Sequence, residues 1–220
     1  MILKEQQVDE RILIMAEIYV STLRVSECVT NCYICMNQDT KESFIVDPGD
    51  GADRIKMQLD RLEAKPVAIL LTHGHFDHIG AASQLKREYD IPIVASAAEE
   101  KILTNPNGNL TGYVGTPYVI KADRFLYDGE EIEYAGIKMR MILTPGHTCG
   151  SCCFYLYEYG TLFSGDTLFC ASRGRTDFAT GSESAIINSI KNKLLVLPGD
   201  TDVLPGHMES TTIEDERVYY

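Results

Sequence analysis

The stretch Leu71-Thr72-His73-Gly74-His75-Phe76-Asp77-His78 constrains this chain more than any other. It holds three of the five histidines, with an aspartate between the second and the third. Directly upstream runs the apolar segment Val67-Ala68-Ile69-Leu70-Leu71, which reads as a buried strand ending at the cluster. Delivering three imidazoles and a carboxylate into one loop is costly unless something binds them. Imidazole nitrogen and carboxylate oxygen are the ordinary ligands of Zn²⁺ and similar first-row ions. Four such groups within six residues crowd a single tetrahedral ion. The pattern suits two ions better, with His73 and His75 facing one, and Asp77 and His78 facing the other.

Further ligands must come from elsewhere. The remaining histidines, His147 and His207, both sit in Pro-Gly-His tripeptides. Each tripeptide follows a strand-like segment, Lys138 to Leu143 and Asp202 to Leu204, and Pro-Gly shapes a turn that holds the next side chain at the strand's end. Between them lies Ser164-Gly165-Asp166, after the apolar Thr161-Leu162-Phe163. A lone histidine after a strand is usually a hydrogen-bonded structural residue. The combination of all these motifs favours a metal site.

Thr72 to His78, Thr144-Pro145-Gly146-His147-Thr148-Cys149-Gly150-Ser151, Phe163 to Phe169 and Leu204-Pro205-Gly206-His207 together resemble the metallo-β-lactamase-fold hydrolases. Gly174-Arg175-Thr176-Asp177-Phe178, then a helix and Leu197-Pro198, is similar to their short, single-domain glyoxalase II-like (hydroxyacylglutathione hydrolase-like) branch. The resemblance runs from about Met15 onward. It implies an α/β fold, a four-layer αββα sandwich of two mixed β-sheets flanked by helices, with a dinuclear metal site at one edge. Carried over residue by residue, His73, His75 and His147 hold the first metal. Asp77, His78 and His207 hold the second, and Asp166 bridges them. The implied cofactors are two Zn²⁺, with iron or manganese as alternatives in either position. Met208 departs from the glycine that relatives usually place after the last histidine.

The activity implied by the resemblance is hydrolysis of 2-hydroxyacyl thioesters such as S-lactoylglutathione by a metal-bridging hydroxide, with Asp77 as ligand and catalytic proton acceptor. Larger glyoxalase II enzymes carry a C-terminal helical region that grips glutathione, and this chain is too short for it, so the thiol carrier stays open. Two other activities exist on the same fold. One is a persulfide dioxygenase, with a single iron held by two histidines and an aspartate. The other is a lactonase. A β-lactamase fits less well, because the zinc β-lactamases with a cysteine ligand place it where Asp166 stands.

Length and composition fit a soluble globular chain: 220 residues, 45% hydrophobic and 24% charged. The expected organisation is one domain over residues 15–220 after an N-terminal extension, 1–14, of uncertain structure. A net charge of −12 repels phosphate backbones and argues against nucleic-acid partners. No apolar run approaches the roughly 18–20 residues of a membrane span. Residues 1–11 carry charges where a signal peptide needs an apolar core. The expectation is a cytoplasmic protein acting on a small-molecule thioester, with no membrane or nucleic-acid partner; the sequence is silent on oligomeric state. Seven cysteines, an odd number, read as reduced thiols. Cys32 and Cys35 share a strand-like segment at a spacing that points them to opposite faces. Cys149 stands out for lying two residues after His147.

Helical spacing predicts helices over Asp53 to Glu63, Ile79 to Tyr89, Ala97 to Leu103 and Glu183 to Leu195. Asp47-Pro48-Gly49 reads as a structural turn passing close to the metal site. Residues 104–118 form a Gly/Asn/Pro-rich loop in which Tyr113 and Tyr118 are candidates for lining a substrate cleft. A second loop, 167–181, holds Arg173, Arg175 and Asp177. Arg175 is a candidate for holding a substrate carboxylate, or it pairs with Asp177 and braces the loop.

Overall fold

In the computed structural model, which describes residues 17–220, the alternating pattern after Glu17 becomes an antiparallel meander. Its strands are β1 (Ile18–Val25), β2 (Thr30–Asn37) and β3 (Glu42–Val46). The sheet then turns parallel: β4 (Lys65–Leu70), β5 (Ile93–Ser96) and β6 (Arg124–Leu126) follow in order beside β3. Parallel neighbours need crossovers. These carry α1 (Ala52–Leu62), the short α2 (Phe76–Ile79) with α3 (Ala82–Tyr89), and α4 (Glu100–Leu103).

The second sheet opens with four antiparallel strands, β7 (Glu131–Tyr134), β8 (Ile137–Leu143), β9 (Cys152–Leu156) and β10 (Thr161–Gly165). A two-stranded ribbon, β11 (Leu168–Phe169) and β12 (Ser172–Arg173), leads to α5 (Glu183–Ser189), which continues as a π turn over Ile190–Leu194. The chain returns through β13 (Asp202–Pro205), parallel to β10, then β14 (Thr211–Thr212) and α6 (Ile213–Glu216).

Three apolar layers separate these elements. Ile34, Ile55, Leu59 and Leu85 fill the space between the first sheet and its helices. Phe44, Leu70, Phe154 and Phe163 fill the space between the sheets. Leu162, Ile186, Ile190 and Leu194 bind α5 to the second sheet. Each such side chain, fully buried, contributes about 1.5–3 kcal/mol. The result is the αββα sandwich of two mixed sheets expected from the sequence. Strand β2 is buried on both faces, with Cys32 in the helix-side layer and Cys35 between the sheets. All seven cysteines are free.

Three helices differ from their expected extent. The helix expected over Ile79 to Tyr89 is broken at Gly80, because the backbone of the Asp47-Pro48-Gly49 turn lies against it. A Cβ on Gly80 would stand 2.2 Å from the Gly49 carbonyl oxygen, and Ala81 N–H donates to the Pro48 carbonyl at 2.9 Å. The segment after β5 begins as a 3₁₀ turn, Ala97–Glu99, before α4. The helix expected over Glu183 to Leu195 loses α geometry after Ser189. The extension 1–14 and Met15 lie outside the described residues. Among those described, no helix is long and apolar enough to cross a membrane.

Candidate metal centre

Strands β8 and β10 both run antiparallel to β9, and β13 runs parallel to β10. Their C-terminal ends therefore share one edge of the second sheet, and each passes directly to a polar side chain: His147, Asp166 and His207. From the first sheet, β3 and β4 end at Asp47 and at the His73–His78 loop. The register Val46↔Leu70 sets those two ends side by side. All five histidines, Asp77 and Asp166 converge there, most of them buried.

Hydrogen bonds fix which ring nitrogens face the cluster. His147 Nδ1–H donates to the Arg175 carbonyl at 2.8 Å, since a carbonyl only accepts. Its Nε2 is thereby turned into the cluster, 2.9 Å from His75 Nδ1 and 3.5 Å from Asp166 Oδ2. His78 Nδ1 bonds Asp47 Oδ2 at 2.9 Å. Its Nε2 then faces Asp166 Oδ1 at 3.4 Å, Asp77 Oδ2 at 3.6 Å and His207 Nε2 at 3.3 Å. Thr30 O–H donates to Asp77 Oδ2 at 2.9 Å, and that oxygen lies 3.3 Å from His207 Nε2. Two trios have the spacing of metal ligands, His73 with His75 and His147, and Asp77 with His78 and His207. Asp166 touches histidines of both.

Asp47, His73 and His78 also lie close enough to form a ligand group. The Asp47 carboxylate, however, is already engaged. It accepts from Thr72 N–H at 2.8 Å and Thr72 O–H at 2.6 Å as well as from His78. Asp47 thus orients His78 and the loop start, the role an outer carboxylate plays behind a metal-binding imidazole.

The cluster also fits metal by what it leaves unpaired. Among the described residues, His73 Nε2 and Asp166 Oδ1 are buried with no hydrogen-bond partner. Leaving such atoms bare costs about 1–3 kcal/mol each, and a divalent cation among them removes that cost. Burial, then the neighbouring His78 and His147, holds His73 well below the usual imidazole range. Burial and His147 lower His75 to about 3. Both rings are therefore neutral and present lone pairs. Burial works against the charged form of Asp77 too, but His78 and His207 outweigh it and hold the carboxyl below its usual range. Burial would also lower His78, yet Asp77, Asp166 and Asp47 outweigh it and raise it to about 10.

The surrounding backbone is shaped around these groups. A Cβ at Gly174 would lie 1.9 Å from the Asp166 carbonyl oxygen and 3.2 Å from His147 Nδ1, so only glycine lets the Arg175 loop approach. Asn31 Nδ2 donates to the carbonyls of Pro205 and Met208 at 3.0 Å each, and Tyr33 O–H donates to Pro205 O at 2.7 Å. Strand β2 thereby clamps the His207 turn onto the other sheet. Met208 sits at φ +69°, a left-handed conformation that explains why glycine suits this position.

Glu99 is 1% exposed and lies behind both loops of the first trio. It accepts from Gly74 N–H and from Thr148 O–H, each at 2.8 Å, and from Gly150 N–H. Burial pushes its carboxyl up to about 7 against the pull of these donors.

Residues 25–207 match the family model of the metallo-beta-lactamase superfamily. The chain belongs to the metallo-β-lactamase superfamily. It is 36% identical over 193 residues to the hydroxyacylglutathione hydrolase GloC of Haemophilus influenzae, an alignment covering 85% of this chain and 89% of that protein. The crystal structure of the B3 metallo-β-lactamase BLEG-1 superposes with a TM-score of 0.86 at 36% identity, over 91% of this chain and 97% of the other. That of TTHA1623 in a di-iron-bound form gives a TM-score of 0.79 at 30% identity, over 90% and 96%.

Beside the superfamily's metal edge, the substrate candidates part company. Tyr113, 73% exposed, lines a cavity that reaches His75. Tyr118 does not line it: its hydroxyl donates to the Phe76 carbonyl at 3.3 Å and its ring packs on the helix-side core. Arg175 also lies outside the lining. Its Nε and Nη2 bond the two Asp177 oxygens at 2.6 and 2.5 Å, and its guanidinium lies 4.5 Å from the Phe178 ring centroid. Cys149 is exposed, with its thiol against the Ala98 carbonyl at 3.6 Å, and belongs to none of the ligand groups. Nothing in the sequence assigns a site role to Thr30, Asn31 or Glu99, and Asp47 reads there as a structural turn residue. Only Asp47 carried a usable signal, its place at the end of a strand beside the histidine loop.

Proposed function

We propose that this chain is a dinuclear metal-dependent hydrolase of acyl thioesters, with 2-hydroxyacyl thioesters such as S-lactoylglutathione the first class to assay. The observation that carries this reading is Asp166. One carboxylate contacts His147 of the first trio and His78 and His207 of the second, with one of its oxygens unpartnered. The likeness to GloC supports the thioester as substrate.

His73, His75 and His147 would hold one cation, and Asp77, His78 and His207 a second, with Asp166 between them; when bound, the pair would supply Lewis acidity for a carbonyl and for water. The chain's own groups do the rest. Asp77, kept ionised and held by Thr30, is placed to accept a proton at its carboxylate. Asp47 and the Arg175 carbonyl fix the ring orientation of His78 and His147. A thiolate is a good leaving group, so thioester cleavage needs no strong separate general acid.

The test is metal analysis of freshly purified protein together with loss of the S-lactoylglutathione thioester absorbance. About two zinc-like or iron ions per chain with rapid thioester loss is the expected result. The likeness to BLEG-1 makes a β-lactam the second substrate to assay. A single iron with no hydrolysis of either would overturn the reading and direct attention to oxygen uptake with a persulfide.

The arginine pairing carries its own expectation. Arg175→Ala should change KM for anionic and neutral acyl thioesters by the same small factor, because Asp177 already occupies the guanidinium fork. A KM increase confined to anionic substrates would show instead that Arg175 holds a substrate carboxylate.

A further inference from the structure

The metal cluster is flanked by two cavities that differ in the charges they carry. On the His75 side a cavity of about 480 Å³, within the roughly 300–1,000 Å³ range of small-molecule sites, is walled by Ile102, Leu110, Tyr113, Val114 and Phe178. No lysine or arginine lines it, and the one carboxylate in its wall, Asp177, is engaged by Arg175. Its inner wall is His75 itself, whose ring centroid lies 5.0 Å from that of Phe178. The cavity is held open by its own backbone. Asn109, fully buried, donates through its side chain to the Leu103 and Tyr118 carbonyls, and its carbonyl accepts from Phe76 N–H at the start of α2. On the His207 side the wall is mixed: Val29 and Met208 stand beside the charged Arg24 and Glu209.

We propose that the His75-side cavity receives an uncharged hydrocarbon acyl group, and that the leaving thiolate, an anion, departs on the side where Arg24 stands. This rests on the thioester-hydrolase reading and narrows it. The preferred substrates are thioesters whose acyl part is an apolar chain larger than lactoyl, without a charge at its far end. Burying an acyl carboxylate against Ile102, Leu110 and Phe178 would remove it from water where no lysine or arginine lines the wall, whereas each methylene buried there adds favourable transfer free energy.

Two measurements on the full-length, metal-loaded protein test this. In the first, butanamide, hexanamide and octanamide are titrated calorimetrically, so that binding is read without turnover. Affinity should rise about three- to fourfold per methylene, and the exposed-site variant Val114→Glu should lose most of that gain. In the second, acetyl, hexanoyl and adipoyl thioesters of N-acetylcysteamine are compared. The kcat/KM should favour hexanoyl over acetyl, and over the equally long but terminally charged adipoyl by about tenfold or more. A flat amide series, a gradient unmoved by Val114→Glu, or adipoyl turned over as well as hexanoyl would overturn the acyl-cavity assignment. A clear amide gradient with no thioester hydrolysed would sustain the apolar cavity and remove the thioester reading on which the acyl assignment depends.

Discussion

Asp166→Ala is expected to lower bound metal from about two ions per chain toward one, and to reduce hydrolysis by at least about 10²–10³-fold, the scale of losing one main electrostatic stabiliser. Asp166 is the carboxylate that contacts histidines of both trios, at 3.4–3.6 Å. Without it, His147 and the His78–His207 pair face each other with no negative charge between them, and two cations brought close together would repel. The backbone position of residue 166 is fixed independently, by its place after β10 and by the close approach of Gly174 to its carbonyl. The variant should therefore fold with a near-native circular dichroism spectrum, so that lost metal is not lost structure. Asp166→Asn keeps the shape and one acceptor but not the charge, and should fall between. Metal counting by atomic emission, before and after chelator treatment, is the check. Full occupancy with wild-type turnover in Asp166→Ala would remove Asp166 from the ligand set.

The residues of this edge were legible in the sequence to different degrees, for a physical reason. Histidines are few here, and each lies in a turn or loop, or in the short α2 that opens from one, close after an apolar run, so local sequence alone places them at strand ends. The sandwich was legible for the same reason: long amphipathic and alternating segments carry their burial pattern with them. Asp47 and Glu99 were not, because their roles arise from non-local pairing. Asp47-Pro48-Gly49 reads as a turn near the metal site, but the partners of its carboxylate, Thr72 and His78, emerge only when β3 lies beside β4. Glu99, next to Glu100 in a short polar segment, reads as a solvated charge. The helix break at Gly80 was hidden likewise, since the segment has good helical spacing and is interrupted by a neighbouring turn distant in sequence. The apolar cavity draws its walls from the 104–118 loop and from Phe178, segments whose meeting no local pattern announces.

Glu99 carries the second large expectation, on metal affinity and stability together. Its carboxylate joins Gly74, which sits between His73 and His75, to Thr148 and Gly150, which flank the turn after His147. One buried side chain thus sets the spacing of the three imidazoles of the first trio without touching any of them. Glu99→Ala leaves two N–H groups buried without their acceptor, at about 1–3 kcal/mol each, while the Thr148 hydroxyl can turn to Ser151 Oγ at 2.8 Å. Several kcal/mol of stability should go, and the melting temperature should fall accordingly. Glu99→Gln keeps the volume but turns one acceptor into a donor facing donors, so it should retain the fold with smaller losses. In that variant the first trio should bind metal about 10–100-fold more weakly, the usual scale for removing a residue that positions ligands. The Asp77–His78–His207 trio, held by Thr30 and Asp47 instead, should change little. Chelator competition resolves the two dissociation constants. A purely structural role for Glu99 predicts a lower melting temperature with both constants unchanged. A positioning role predicts that one constant moves and the other does not, with kcat falling more than KM rises once metal is supplied in excess.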